Sequence, residues 1–274
     1  MYCTADDVYE ATSLSATEVA EANVNAFILA AEKMVDRTTF TTYWNVEQNG
    51  TASSGGATTL VQTGAGWTND AYNDMWVWVY GGTGIGQMRK ITDTTTDTLT
   101  VDTAWDTNPD DTSTFRVIYA ATEPYFDEDV DGDGTDTYYL DEYPLQILES
   151  LSINSTSITT TNVYQYKKIG KIVLSNDAEK GNFDDNKPQL VDMTYWWGVY
   201  PLPYEVKRYV IVCASINTLS AQMGGTFNVP STYSLPEGSV TVGQAYINIK
   251  STWDTLMKEK EALELILIKY PRIL

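Results

Sequence analysis

Histidine is absent from this chain of 274 residues. Its absence removes histidine-based triads, histidine general bases and histidine metal ligands together. Cysteine is nearly absent too: Cys3 and Cys213 stand far apart and outside any C-x-x-C pair, which excludes a thiolate zinc site. Basic residues are scarce. Against 37 Asp and Glu there are 17 Lys and Arg, for a net charge of −20. Such a surface repels nucleic acid, so sequence-specific DNA reading is not expected. Long apolar runs are missing as well, since YVIVCASINTL is too short and too polar to span a bilayer. The opening MYCTADDVYE lacks the basic and apolar regions of a signal peptide. Synthesis in a cytoplasm and no membrane association are the expectation.

What remains is ample for a packed core, because 43% of the residues are hydrophobic. The length suits one large domain or two smaller ones. Residues 4 to 37 read as a short helix followed by a long one. Thr4 with Asp7, and Ser15 with Glu18, match the capping box of a helix start. Val19, Ala22, Ala26 and Leu29, with Phe27, Ala30 and Met34, form a stripe predicted to pack in the core. From about residue 40 to 121 the composition shifts to Thr, Gly, Asp and Trp. TTLVQTGAGW, MWVWVY, QMRKITDTTTDTLTVDTAW and TSTFRVIYA read as strands of a compact, barrel-like module. Residues 124 to 200 are also β-rich. Two helices close the chain, one from about Pro203 to Met223 and one over YINIKSTWDTLMKEKEALELILIKY, stopped by Pro271.

The charge is uneven. Residues 201 to 274 carry six acids and seven bases, so nearly all the negative charge sits on the first 200 residues. A near-neutral end on an acidic body suits a docking segment, and suits equally a helix pair balanced by its own ion pairs.

Two motifs invite chemistry. WVWVYGGTGIGQMRKIT, residues 76 to 92, runs from apolar residues into glycines as a dinucleotide-binding strand does. Gly82 and Gly84 fit the G-x-G-x-x-G fingerprint, but its third place is Gln87 and the sequel is β-like. With no helix N-terminus to meet a phosphate, the glycines are expected to serve a turn between strands. Trp76 and Trp78 then share one face, and Met75, Val77 and Val79 the other. In DEDVDGDGTD, residues 127 to 136, Asp129, Asp131, Asp133 and Gly134 match the start of a calcium loop. The twelfth position is Leu140 instead of a bidentate Glu, so a complete EF-hand is ruled out. A looser calcium site at Asp129, Asp131, Asp133 and Asp136 stays open beside an acidic solvated turn. No carboxylate pair, nucleophile or base is singled out for catalysis.

The order of the pieces resembles tailed-phage head–tail connector (adaptor) proteins. The likeness rests on MYCTADDVYEAT, AAEKMVDRTT, GTDTYYLDEYPLQILESLSIN and YPLPYEVKRYVIVCASI, and covers roughly residues 1 to 38 and 122 to 274. AGWTNDAYNDMWVWVYGGTGIGQMRKIT is similar to small β-modules within various viral structural proteins. The resemblance implies an α+β fold: a connector-like helical core with antiparallel strands, residues 1–39 and 122–274, plus an inserted all-β module at 40–121. It implies a non-enzymatic virion protein at the head–tail interface, assembled in the host cytoplasm. Its expected partners are its own copies in a ring of about twelve, a portal protein, and a tail or stopper protein. The closing helix and tail would dock on the portal. Trp253 and Leu256 lie on that helix's apolar face, and Ile268, Tyr270, Pro271, Ile273 and Leu274 keep the chain apolar to its end. Burial against the protein's own core explains the same residues. Two other readings remain: a calcium-stabilised adhesion or capsid-decoration protein binding a glycan or host surface, and a carboxylate-dependent hydrolase.

Overall fold

A computed structural model of the chain describes residues 1–183, 190–223, 232–235, 238–241 and 244–268. The described residues fall into two compact units, Met1–Phe40 with the residues from Leu202 onward, and Thr41–Pro201. In chain order, helices α1 (Ala5–Thr12) and α2 (Glu21–Thr39) come first. Seven strands follow: β1 (Asn45–Thr51), β2 (Ser54–Gly56), β3 (Thr59–Val61), β4 (Trp76–Gly81), β5 (Met88–Thr94), β6 (Thr98–Val101) and β7 (Thr114–Tyr119). Seven more are β8 (Tyr125–Val130), β9 (Thr137–Tyr139), β10 (Leu145–Ile153), β11 (Thr156–Ser157), β12 (Val163–Tyr166), β13 (Lys171–Leu174) and β14 (Val191–Trp197). Helices α3 (Tyr204–Gln222) and α4 (Gln244–Ile268) close the chain, with a hairpin of Thr232–Leu235 and Gly238–Thr241 between them.

The expectation of a connector-like helical core with a small all-β insertion is overturned. Among the described residues three antiparallel sheets of fourteen strands, with the separate two-stranded hairpin, stand beside four α-helices, so the fold is a sheet-dominated α+β. The reason lies in residues 125 to 197, which are not a strand addition to helices. They build a four-stranded sheet, β11-β10-β14-β8, and a three-stranded one, β12-β13-β9. These two sheets enclose one core, in which Leu145, Leu148, Leu151, Val191, Met193 and Tyr195 meet Val163, Ile172 and Leu174. The result is a small sandwich with two outer faces.

The seven-stranded sheet runs β1-β7-β4-β5-β6-β3-β2. Only Ala52 and Ser53 separate β1 from β2, its two edge strands, so the sheet curls back on itself around Leu60, Val77, Val79, Ile91, Leu99, Phe115 and Val117. Strand alternation works as expected on β4: Val77 and Val79 enter this core, while Trp76 and Trp78 point to a second one with Trp44, Met88, Ile118 and Trp196. The glycine cluster is the turn between β4 and β5. Gly82, Gly84 and Gly86 have φ of +76°, +78° and +92°, conformations that side chains rarely adopt.

In the helical unit, Thr4 and Asp7 form the capping box of α1. The Ser15 amide and hydroxyl both donate to Glu18 Oε2, at 2.9 and 2.7 Å, but the Glu18 amide donates to the Ser15 carbonyl, so the pair closes a turn and α2 begins only at Glu21. The stripe predicted for the core of α2 is on the wrong side. Val24, Ile28, Ala31 and Val35 are buried, and Leu29 and Met34 are exposed. The buried side also carries Glu32 and Asp36. The Tyr2 amide donates to Glu32 Oε1, and the Tyr2 hydroxyl lies 2.9 and 3.1 Å from the two oxygens of Asp36. Two carboxylates thus sit inside because a residue at the start of the chain supplies donors to them. Helix α3, buried on nearly every side, packs on α1, α2 and α4.

Tyr2→Phe removes the hydroxyl facing Asp36 and is expected to cost about 1–3 kcal/mol in chemical denaturation. At Gly82 an added Cβ would lie 2.0 Å from the Thr112 carbonyl oxygen, whereas at Gly86 it would meet nothing within 4 Å. Gly82→Ala should therefore destabilise by more than Gly86→Ala, which bears only the backbone strain of about 1 kcal/mol. Equal losses in thermal unfolding would contradict the packing argument.

Candidate functional site

The four aspartates proposed for a metal are distributed along one edge of the sandwich. Asp129 lies on β8, whose outward residues alternate with inward ones, and it pairs across the strands with Asp192 of β14. Asp131 is exposed just beyond the strand. Asp133 turns inward on its own loop: its Oδ1 accepts from the Thr135 amide at 2.9 Å and the Thr135 hydroxyl at 2.7 Å. These bonds hold its carboxyl below the usual range. Asp136 Oδ1 accepts from the Thr137 hydroxyl at 3.0 Å. Gly134, at φ +75°, donates its amide to the Phe183 carbonyl. The loop is thus held by hydrogen bonds from its own threonines and from Phe183. Among the described residues no three acidic or cysteine side chains are grouped to hold a metal.

The same strand carries a carboxylate that sequence motifs did not single out. Glu128 is buried between Asp127 and Asp129, facing the sandwich core. Its Oε1 accepts from the Tyr195 hydroxyl and, at 3.1 Å, from the Asp141 amide. Its Oε2 makes no hydrogen bond among the described residues. Burial pushes the Glu128 carboxyl above its ordinary value, against the opposing pull of Tyr195. The signal was available: Phe126 and Val130 flank Glu128 at a period of two, the spacing of an inward-facing row.

Between the curled sheet and the sandwich, a crevice of about 220 Å³ is lined by Trp76, Arg89, Tyr125, Glu149 and Trp196 among others. Its buried guanidinium is heavily committed. Arg89 Nη1 donates to Glu149 Oε1 and to the Met88 carbonyl, Nη2 to Asp106 at 3.0 Å, and Nε to the Ala104 carbonyl at 3.3 Å. The second Glu149 oxygen accepts from Trp196 Nε1 at 2.8 Å. These groups spend their hydrogen bonds on one another, so the crevice is a seam stitched by an ion pair.

The two outer faces of the sandwich differ in chemistry. Across the three-stranded sheet, Tyr166, Lys171 and Tyr139 are directly opposite one another, with Tyr164, Val173 and Thr137 in the next row of the same face. Tyr139, Tyr164 and Tyr166 are 61%, 62% and 53% exposed. The Lys171 ammonium stands 5.3 Å from the Tyr166 ring and 6.0 Å from that of Tyr139. Across the four-stranded sheet the outward rows hold Asp129, Asp192 and Ser152, then Asp127, Thr194 and Ser150. Burial, and then the charges of Asp127 and Asp129, push the Asp192 carboxyl up.

At the other end of the chain, α4 is fastened to α3. Arg208 grips Glu259 with two bonds of 2.6 and 2.8 Å, and the Tyr209 hydroxyl donates to Glu264 at 3.0 Å. Leu256, Leu263 and Leu267 are buried and Trp253 is half-buried. Leu256 therefore serves the protein's own core. Leu265 and Ile266, by contrast, are 66% and 38% exposed. The side chain of Ile268, and Tyr270, Pro271, Ile273 and Leu274, lie outside the described residues. Cys3 and Cys213 are buried free thiols, Cys3 pushed up to about 12 by burial and Cys213 raised for the same reason. Both are held in the unreactive protonated form. Among the described residues no helix is long and apolar enough to cross a membrane. No family model matches the chain, and no curated protein matches it.

The raised Glu128 carboxyl fixes the sign of a pH effect. Between the ordinary value of 4.5 and the higher folded value, the folded state binds more protons than the unfolded one. Stability from this site is therefore full below about pH 4.5 and falls as pH rises through the folded value. Glu128→Gln keeps an oxygen for Tyr195 and Asp141 and cannot ionise. The variant should be more stable than the parent at pH 7, and the difference should vanish near pH 4, as read from urea midpoints.

Proposed function

We propose that this protein is a virion structural component, a head–tail connector that joins a portal to the tail or neck and works by assembly. The observation that carries the reading is the end of α4. A helix clamped to its neighbour through Arg208 and Glu259 carries Leu265, 66% exposed, in its last turn, three residues ahead of IKYPRIL, where Ile268, Tyr270, Pro271, Ile273 and Leu274 are apolar. A large apolar side chain held in water on a rigid helix is a ready anchor for a partner surface. The acidic first 200 residues fit a body past which DNA moves without sticking, because phosphates are repelled. The portal, a tail or stopper protein, and further copies of the chain are the partners this role requires.

Deleting residues 268–274, or replacing Leu265 with Asp, is expected to weaken co-sedimentation with portal rings of the same virus at least about tenfold, equivalent to about 1.4 kcal/mol. The folded helical unit should persist, since Leu256, Leu263 and Leu267 stay in place. Undiminished portal binding by the truncated chain would overturn tail docking.

A further inference from the structure

We infer that copies of this chain associate head to tail, the tyrosine–lysine face of one sandwich docking on the aspartate face of the next. The inference deepens the assembly reading and rests on it for its biological role. The two faces themselves stand on geometry.

The two sheets share one core, so their outer faces point away from each other. A contact between unlike faces on opposite sides cannot be a two-fold self-contact. It is heterologous, and it adds copies in one direction until a ring closes or a filament grows. The faces are also opposite in charge. No acid stands between Glu149 and Asp177 in a chain holding 37 of them, and Lys167, Lys168 and Lys171 fall within that span. Lys171 stands on this face between Tyr166 and Tyr139, and Lys168 is exposed on the turn that joins β12 to β13. Facing them in the next copy would be Asp127, Asp129 and Asp192, three carboxylates crowded on two adjacent strands. A lysine brought between them offsets a repulsion already present in the single chain.

Three exposed tyrosines supply the apolar part of the contact. Their rings are rigid, lose little entropy on docking and are enriched where interfaces are strongest. Tyrosines beside lysines could in principle stack on the bases of a single strand. The charge of −20 opposes that partner at long range. A second copy carries the same net charge, but that repulsion acts over distance and the face-to-face pairs act at contact. At about 0.15 M salt, with a screening length of about 8 Å, the first is damped and the second survives. Association is therefore expected to be weak at about 0.01 M salt, strongest near 0.15 M and weak again at about 1 M.

Sedimentation velocity of the full chain over a range of concentrations tests this. The parent should form species that grow with concentration at intermediate salt. Lys168→Glu with Lys171→Glu, and separately Asp127→Lys with Asp129→Lys, should each weaken association at least about tenfold. An equimolar mixture of the two variants should restore it, because each then meets a face of opposite charge. Tyr164→Ser, which leaves every charge and the core in place, should weaken it as well. A parent that stays monomeric at all three salt concentrations overturns the inference, as do variants that associate like the parent or a mixture that fails to restore. A monomeric parent that binds oligo-dT through Lys171 assigns the face to nucleic acid instead. No portal enters the assay, so failure here leaves tail docking standing, and failure of tail docking leaves this result standing.

Discussion

Trp44 holds the β unit together. Its indole is fully buried and donates from Nε1 to the Trp197 carbonyl at 2.9 Å, across a separation of 153 residues. On either side of it the backbone pairs with the far end of the sandwich: the Trp44 amide donates to the Val199 carbonyl, and the Val199 amide to that of Thr42. Gly198 makes the approach feasible. Its φ is +127°, and a Cβ there would come within 2.6 Å of the indole nitrogen. Around this point Trp76, Met88 and Ile118 of the curled sheet meet Trp196 and Ile147 of the sandwich. The Arg89–Glu149–Trp196 seam lies beside it and depends on the same register of β10 against β14.

That register also sets the surface. With β14 pinned at Trp197, strand alternation sends Val191, Met193 and Tyr195 inward and leaves Asp192 and Thr194 outside. A one-residue slip would exchange the two sets, burying Asp192 and exposing the core. The acidic outer face is thus a by-product of where the tryptophans pack. The inward position of Glu128 follows from the same pairing, since it is opposite Met193. Its buried carboxylate is tolerated because Tyr195 and Asp141 supply donors, and it remains a liability at neutral pH.

The helical unit solves a similar problem with residues far apart in sequence. Glu32 and Asp36 lie inside, where Tyr2, thirty and thirty-four positions away, brings an amide and a hydroxyl to them. Helix α4 is held by Arg208 and Tyr209, both reaching from α3. Among the described residues the buried carboxylates Glu32, Asp36 and Glu128 each accept from a donor outside their own element.

Taken by itself, the chain determined the elements wherever local periodicity is strong. The alternation of MWVWVY placed Val77 and Val79 on one side and both tryptophans on the other, and the glycines after it were legible as a turn because a β-like segment follows. The helix from Tyr204 and the Thr4–Asp7 cap were equally local. Missing histidine and paired cysteine closed off whole classes of chemistry. What tertiary structure decided was which faces meet. Val24, Ile28, Ala31 and Val35 repeat at helical spacing as well, but Glu32 and Asp36 on the same side read as solvent-facing, and only the folded chain shows the Tyr2 donors that meet them. DEDVDGDGTD reads as a ligand loop on spacing, but Asp129 belongs to a strand and Asp133 is taken by Thr135, because backbone pairing and short-range hydrogen bonds fix those side chains. The sandwich and its two unlike faces come from pairings between residues tens of positions apart. A sequence carries the pattern of each strand, but only packing specifies which strand it lies beside.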